Sequence, residues 1–321
     1  MISTLKRGLE LYLSSIILYC LGVIIILHGP YYPEVLTEQA KRAIVYLFSG
    51  YILLAPIYYL ITVSKYSENK PFLIFKSINR NIKNLVTKGK RIGLLKEEKV
   101  AFLFIIVKLF YLPLMINFFL NNLNSFQFQL GEQINYYALI LTIIFTIDTG
   151  IFAFGYSFEF KTLKNIVKSV EPTFFGWFVA LICYPPFNTL VVNNIPWGSN
   201  DYAIFSSELY TSIARIFIVL LLVIYLWASV ALGPKASNLT NRGIVTKFPY
   251  SIVRHPAYIS KNIVWWLTLI PIINWKLAGG LLLWTIIYYF RAITEERHLK
   301  ADSDYVKYCK KVKWKFIPGV Y

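Results

Sequence analysis

Long apolar runs alternate with short polar segments, mostly basic, along the whole chain. The runs lie near residues 11–28, 43–64, 101–120, 136–156, 174–192, 211–233, 259–275 and 277–291. Most have the roughly 20 residues that a helix needs to cross a hydrocarbon core of about 30 Å. The pattern predicts an all-α, polytopic membrane bundle of about eight transmembrane helices. The last two runs are short and separated by little more than Asn274, Trp275 and Lys276, so they should form a tight hairpin. Pro185 and Pro186, in CYPPFNT, should break or kink the fifth helix.

Composition agrees with a membrane protein. The 321 residues are 57% hydrophobic and 15% charged, with a mean hydropathy of +0.54. Soluble domains are about half apolar and a quarter charged. A net charge of +17 would suit nucleic acid, but the basic residues lie between apolar runs, so the expected partner is the membrane and no nucleic acid. Placing the N-terminus in the cytoplasm also places segments 1–10, 65–100, 157–173, 234–258 and 292–321 there. With their membrane borders these hold nearly all of the 33 basic residues, leaving Lys41, Arg42 and Lys276 opposite. The positive-inside bias therefore puts both termini in the cytoplasm. Lys6 and Arg7 precede the first run as in a signal peptide, but the run is long and Ile-rich where a cleavage site would lie. A retained helix is expected. Segment 65–99 reads as a basic, partly amphipathic loop, either solvated or lying on anionic headgroups.

Lys108, Asp148 and Arg215 fall inside apolar runs, where a charge costs about 2.5–3.5 kcal/mol. Asp148 is expected to pair with Lys108 or Arg215 as a structural ion pair. A non-catalytic transporter or assembly factor would carry the same signature. Cys20, Cys183 and Cys309 have no metal or redox spacing, and no metal site is expected.

Two polar constellations near the C-terminus are harder to explain by anchoring alone. The first is RGIVTKFPYSIVRHPAYISKN, residues 242–262. Pro249 and Pro256 bend the chain and force the residues before them into extended geometry. Arg254 and His255, flanked by Tyr250 and Tyr258, then sit on irregular backbone at headgroup depth. Such backbone lines a cavity or is covered by protein. These side chains can bind an anionic or carboxylate-bearing ligand, or anchor helices at the interface. The second is RAITEERHLK, residues 291–300. Arg291 and Glu295 share a helix face, with His298 one turn on, while Glu296 points elsewhere. Helix C-termini favour cations. The two glutamates therefore bind something, or the helix runs on to about Leu299.

Together with Tyr305, Tyr308 and the ending IPGVY, these segments resemble the C-terminal half of the isoprenylcysteine carboxyl methyltransferase family. They are also similar to the phospholipid N-methyltransferases. The resemblance covers about the last 85 residues. It implies S-adenosylmethionine as cofactor, held in a cytoplasmic C-terminal pocket unlike a Rossmann fold. No GxGxxG unit is present. It assigns residues 1–205 to N-terminal transmembrane helices and 206–321 to a methyltransferase-like domain. By the same resemblance Arg242, Gly243, Ile244 and Val245 would line the cofactor with their backbone. Tyr250, His255, Pro256, Ala257 and Tyr258 would continue that wall, and Glu295 would hold a hydroxyl or amine. Arg291 would face the acceptor, and Arg254 and Glu296 join it as candidate catalytic residues. An amine acceptor must lose a proton, which Glu295 or Glu296 could take. The acceptor would be a lipid or prenyl-like molecule entering from the bilayer. Phe248 and Ser260 stand where the family often has glycine, and Phe248 would narrow the pocket entrance. The tail YVKYCKKVKWKFIPGVY is also similar to the end of the membrane sterol reductases, which implies NADPH as the rival cofactor.

Overall fold

The structure is a computed structural model and describes residues 2–64, 67–90, 92–131, 134–192 and 204–320. It divides into two compact units, residues 1–117 and 118–321.

The first unit holds α1 (Ile2–His28), the single turn α2 (Tyr32–Val35), α3 (Glu38–Thr62), α4 (Lys70–Lys88) and the start of α5 (Lys96–Gly131). Polar side chains inside the apolar helices secure its turns. Asn117 accepts from Thr37 N at 2.9 Å and Thr37 Oγ1 at 3.0 Å, and donates to Val35 O at 3.2 Å. Asn69 caps α4 through Phe72 N, and its amide reaches Ser15 Oγ at 3.0 Å and Tyr59 Oη at 2.8 Å. One residue thus ties α4 to α1 and α3. Helix α4 buries Pro71, Ile74 and Ser77, while Ile78, Ile82, Leu85 and Val86 are exposed. It ends at Gly89, whose φ of +61° suits glycine.

The second unit continues with the end of α5, then α6 (Tyr136–Ser157), β1 (Ser169–Val170), α7 (Phe174–Leu181), α8 (Phe187–Val192) and α9 (Glu208–Leu232). A 3-10 turn, Gly233–Lys235, leads to β2 (Thr240–Asn241), α10 (Pro256–Leu269), α11 (Trp275–Leu299) and α12 (Ser303–Lys311). Leu141 and Ile144 of α6, Ile218 and Leu222 of α9, and Val264 of α10 form its main core. Trp265 and Leu269 meet Leu281 and Trp284 where α10 and α11 form the expected hairpin. Helix α6 also packs on α9.

Six helices among the described residues are long and apolar enough to cross a membrane: Ser3–His28, Glu38–Thr62, Lys96–Gly131, Tyr136–Ser157, Glu208–Lys235 and Trp275–Leu299. The other two apolar runs form shorter pieces. Pro185 and Pro186 separate α7 from α8, of 8 and 6 residues. Helix α10 has 14 residues, about 21 Å long, and stops before a 3-10 turn that contains Pro271. Hydrophobicity alone does not register these breaks.

Asp148 differs from expectation. Its carboxylate accepts from Tyr225 Oη at 2.6 Å and Ser229 Oγ at 2.5 Å, two hydroxyls on α9, in place of Lys108 or Arg215. Arg215 lies over the Tyr137 ring and Lys108 over the Tyr19 ring. Substituting Asp148 by Ala strands both hydroxyls, at about 1–3 kcal/mol for each buried group left unsatisfied. The Asp148→Ala protein should melt well below wild type in detergent. An unchanged melting temperature would deny Asp148 this packing role. Gly155 is a second sensitive point. A Cβ there would overlap the backbone oxygen of buried Ala236, which cannot swing aside. Gly155→Ala should therefore destabilise by about 1–3 kcal/mol, read from the same melts.

Candidate functional site

Between the 3-10 turn and α10 lie some twenty residues without a helix, and their polar groups are paired from several directions. Strand β2 runs antiparallel to β1, with Ser169 opposite Asn241 and Val170 opposite Thr240. The pairing continues as Lys168 N donates to Asn241 O and Glu171 N to Leu239 O, both at 2.8 Å. Arg242 is buried and donates to Ser237 Oγ and Asn165 O, each at 3.0 Å. Burial pulls its guanidinium below its ordinary pKa. Gly243 has φ +98°, a backbone state for which glycine is suited. Ile244 and Tyr250 pack onto Tyr305, Tyr308 and Val312 around α12, and Tyr308 Oη donates to Tyr250 O at 2.7 Å.

The RHP segment is clamped at both ends of its side chains and backbone. Arg254 N donates to Trp314 O at 3.0 Å and His255 N to Lys315 O at 2.9 Å. Arg254 Nε and His255 Nε2 each lie 3.2 Å from Glu296 Oε1, and Glu296 is 3% exposed. Arg254 also reaches Cys309 Sγ at 3.2 Å. The His255 ring stacks on Tyr258, with centroids 5.4 Å apart and planes within 8°. Pro256 and Ala257 open α10, and buried Ser260 turns its hydroxyl to Pro256 O at 2.8 Å. Phe248 packs edge-on against Trp227, and so does not reach the cleft described next.

A small, partly open cleft lies between α7, the 237–240 segment, α10 and one face of α11. Arg291, Thr294, Glu295, His298 and Leu299 supply that face. Their i, i+3, i+4 spacing keeps them on one stripe, while Glu296 is turned about 100° away. Arg291 is buried, hydrogen-bonds Asn238 Oδ1, and sits 5.3–5.7 Å from the rings of Tyr184, Tyr258 and Tyr288. Asn238 is itself held by Tyr156 Oη and Tyr184 Oη. Tyr258 Oη donates to Glu295 Oε2 at 2.7 Å. His298 Nε2 is 2.8 Å from Ser169 Oγ.

Of the residues singled out by sequence, Tyr258, Arg291 and Glu295 line this cleft. Arg242, Gly243, Ile244, Val245, Tyr250, Arg254, His255, Pro256, Ala257 and Glu296 are not part of its lining. Several of them brace it from outside through the contacts above. Conversely, Glu171, Gly176, Asn238 and Thr240 line it without having been picked out as site residues. Asn238-Leu239-Thr240 carried only a glycosylation-like pattern, and Glu171 is an acid in a mainly basic stretch. Neither signal is specific.

Residues 209–302 match the phospholipid methyltransferase family model. No curated protein and no solved structure gives a significant match. The matched stretch runs from the start of α9 to just past α11 and carries Asn238, Tyr258, Arg291 and Glu295. The C-terminal part of the chain is thus similar to that family. With six helices among the described residues long and apolar enough to cross a membrane, the match supports a multi-pass membrane methyltransferase.

Two substitutions separate bracing from lining. Glu296→Ala leaves Arg254 and His255 without their carboxylate and should destabilise by about 3–5 kcal/mol. Glu295→Ala, at an exposed position, should leave the melting temperature within a few degrees of wild type. Equal losses would erase the distinction. A pH effect follows from Asp302. Burial raises its pKa, but donors from Asn241 at 2.9 Å, Asp304 N at 3.0 Å and Lys168 at 3.2 Å outweigh this and hold the carboxyl below its usual value. A depressed carboxylate stabilises the fold above its unfolded pKa of about 3.9, and this is lost as pH falls through the lower folded value. The melting-temperature gap between wild type and Asp302→Asn should therefore be present at neutral pH and close in acid below about pH 4.

Proposed function

We propose that the chain is an S-adenosylmethionine-dependent membrane methyltransferase acting on a lipid or prenyl-like acceptor that enters from the bilayer. The observation that carries this reading is the coincidence of the 209–302 family match with the cleft lined by Tyr258, Arg291 and Glu295. The reading includes both termini in the cytoplasm and residues 206–321 as the catalytic segment, with one wall of the cleft contributed from upstream.

The residues present suit a polar nucleotide cofactor. They line a small, partly open cleft. Its lining offers carboxylates for hydroxyl and amine groups and an aromatic wall at Tyr258. When bound, the cofactor supplies a methyl group on a positively charged sulfur. Glu295 is free to exchange its Tyr258 partner for a ligand hydroxyl or amine. Arg291, stiffened by Asn238 and three tyrosine rings, orients a carboxylate or other anionic group of the acceptor. The same rings exclude water around it. For an amine acceptor, Glu295 is the better base of the adjacent pair. Glu296 is already engaged by Arg254 and His255 and is not part of the cleft lining. Alignment of acceptor and donor is the main task of such a site.

Calorimetry on the detergent-purified chain tests the cofactor. S-adenosylhomocysteine should bind saturably and NADPH should not. The opposite result would favour the reductase resemblance of the tail. Substitutions test the division of roles. Glu295→Ala should weaken cofactor binding by about 1.5–3 kcal/mol, as expected for a lost hydrogen bond to a charged group. Arg291→Ala should depress turnover and acceptor affinity more than cofactor affinity, and Arg291→Lys should restore only part of it.

A further inference from the structure

Glu171 stands apart within the cleft wall. It is 2% exposed, and its two carboxylate oxygens are treated unequally. Oε1 accepts from Thr173 N at 3.0 Å, Thr173 Oγ1 at 2.5 Å and Arg297 Nη2 at 2.8 Å. Oε2 is buried and has no hydrogen-bond partner among the described residues. A buried acceptor without a donor is disfavoured and uncommon in folded proteins. Here the carboxyl also borders the cleft that Arg291 and Glu295 line. The surroundings leave room for it and fix it. A Cβ on Gly176 would overlap the Glu171 carboxyl, and Thr173 caps α7 through Gly176 N at 3.2 Å. The Glu171 backbone is pinned to Leu239 O, and Leu239 has a φ of +62°, unusual for a residue with a branched side chain.

We propose that Glu171 Oε2 accepts a hydrogen bond from an N–H or O–H group of the molecule bound in the cleft. This makes Glu171 a ligand-binding residue supplied from outside the 209–302 match. The inference rests on the cleft being the ligand site of the proposed function. The donor group has two sources. One is a hydroxyl or amine of the nucleotide cofactor, and the other is a hydroxyl or amine on the acceptor headgroup. A purely structural role would act through Oε1 and Arg297 alone.

The experiment compares wild type, Glu171→Gln and Arg297→Ala as full-length protein in detergent. The glutamine keeps the size and the Oε1 acceptor but can present an N–H where the ligand needs an acceptor. Melting temperature, calorimetry with S-adenosylhomocysteine and with NADPH, and methyl transfer from S-adenosylmethionine into total-lipid vesicles are measured. Glu171→Gln should melt near wild type and bind S-adenosylhomocysteine at least tenfold more weakly if the cofactor supplies the donor. If the acceptor supplies it, cofactor affinity should hold while the acceptor KM rises at least tenfold. Arg297→Ala should lower the melting temperature with a smaller change in either ligand. Affinity and KM both within twofold of wild type in Glu171→Gln would overturn the inference and leave the methyltransferase reading standing. If wild type binds NADPH and not S-adenosylhomocysteine, the methyltransferase reading fails, and the same tenfold criterion on NADPH decides Glu171. Binding of neither nucleotide overturns both. Should Glu171→Gln not fold, Glu171→Asp is read by the same criteria, because it keeps the charge but withdraws it by one methylene.

Discussion

Backbone polar groups that leave a helix in an apolar protein must find partners within the protein. The second unit depends on how this is met along residues 236–255. The stretch is too long for one cap to serve and too irregular to serve itself. Its backbone partners come from β1 and from the C-terminal tail at Trp314 and Lys315, while Asn165 and Glu296 hold its Arg242, Arg254 and His255 side chains. Each partner lies far off in sequence. The cleft is what remains between the segments once those groups are paired, which is why its walls come from four parts of the chain.

The adjacent glutamates on α11 show how one helix serves two purposes. Successive residues diverge by about 100°, so neighbours in sequence face different surroundings. Glu296 is buried against Arg254 and His255 and fixes the approach to α10. Glu295 lines the cleft and accepts from the Tyr258 hydroxyl. The pair needs no repulsive compromise, because the Arg254 guanidinium neutralises one charge and the other borders the cleft.

Charges elsewhere in the apolar helices follow a similar economy of partners. Asp148 is satisfied by two hydroxyls of α9. Arg291 combines its hydrogen bond to Asn238 with three aromatic faces. A guanidinium is weakly hydrated and stacks well on rings, so it tolerates this setting better than an ammonium would. An aromatic content of 17% provides many such surfaces. Arg291 is thereby held at the cleft wall by Asn238 and the aromatic faces around it.

The chain's apolar periodicity determined by itself that this is a helical membrane protein, that Pro185 and Pro186 interrupt it, and that α10 and α11 pair. The i, i+4 spacing determined that Arg291 and Glu295 share a face and Glu296 does not. These features are local, set by hydrophobicity, proline geometry and helix pitch. The number of helices long enough to span was not legible, because run length counts apolar residues and does not see where short helices end. The hydroxyl partners of Asp148 were not legible either, since Tyr225 and Ser229 lie 77 and 81 residues away and carry no charge to advertise them. Tertiary packing alone decided which motif residues line the cleft. It turned Arg254, His255 and Glu296 toward one another and brought Glu171 and Asn238 to the opening, because the partners of a non-helical segment are chosen by geometry in space and leave no period in the sequence.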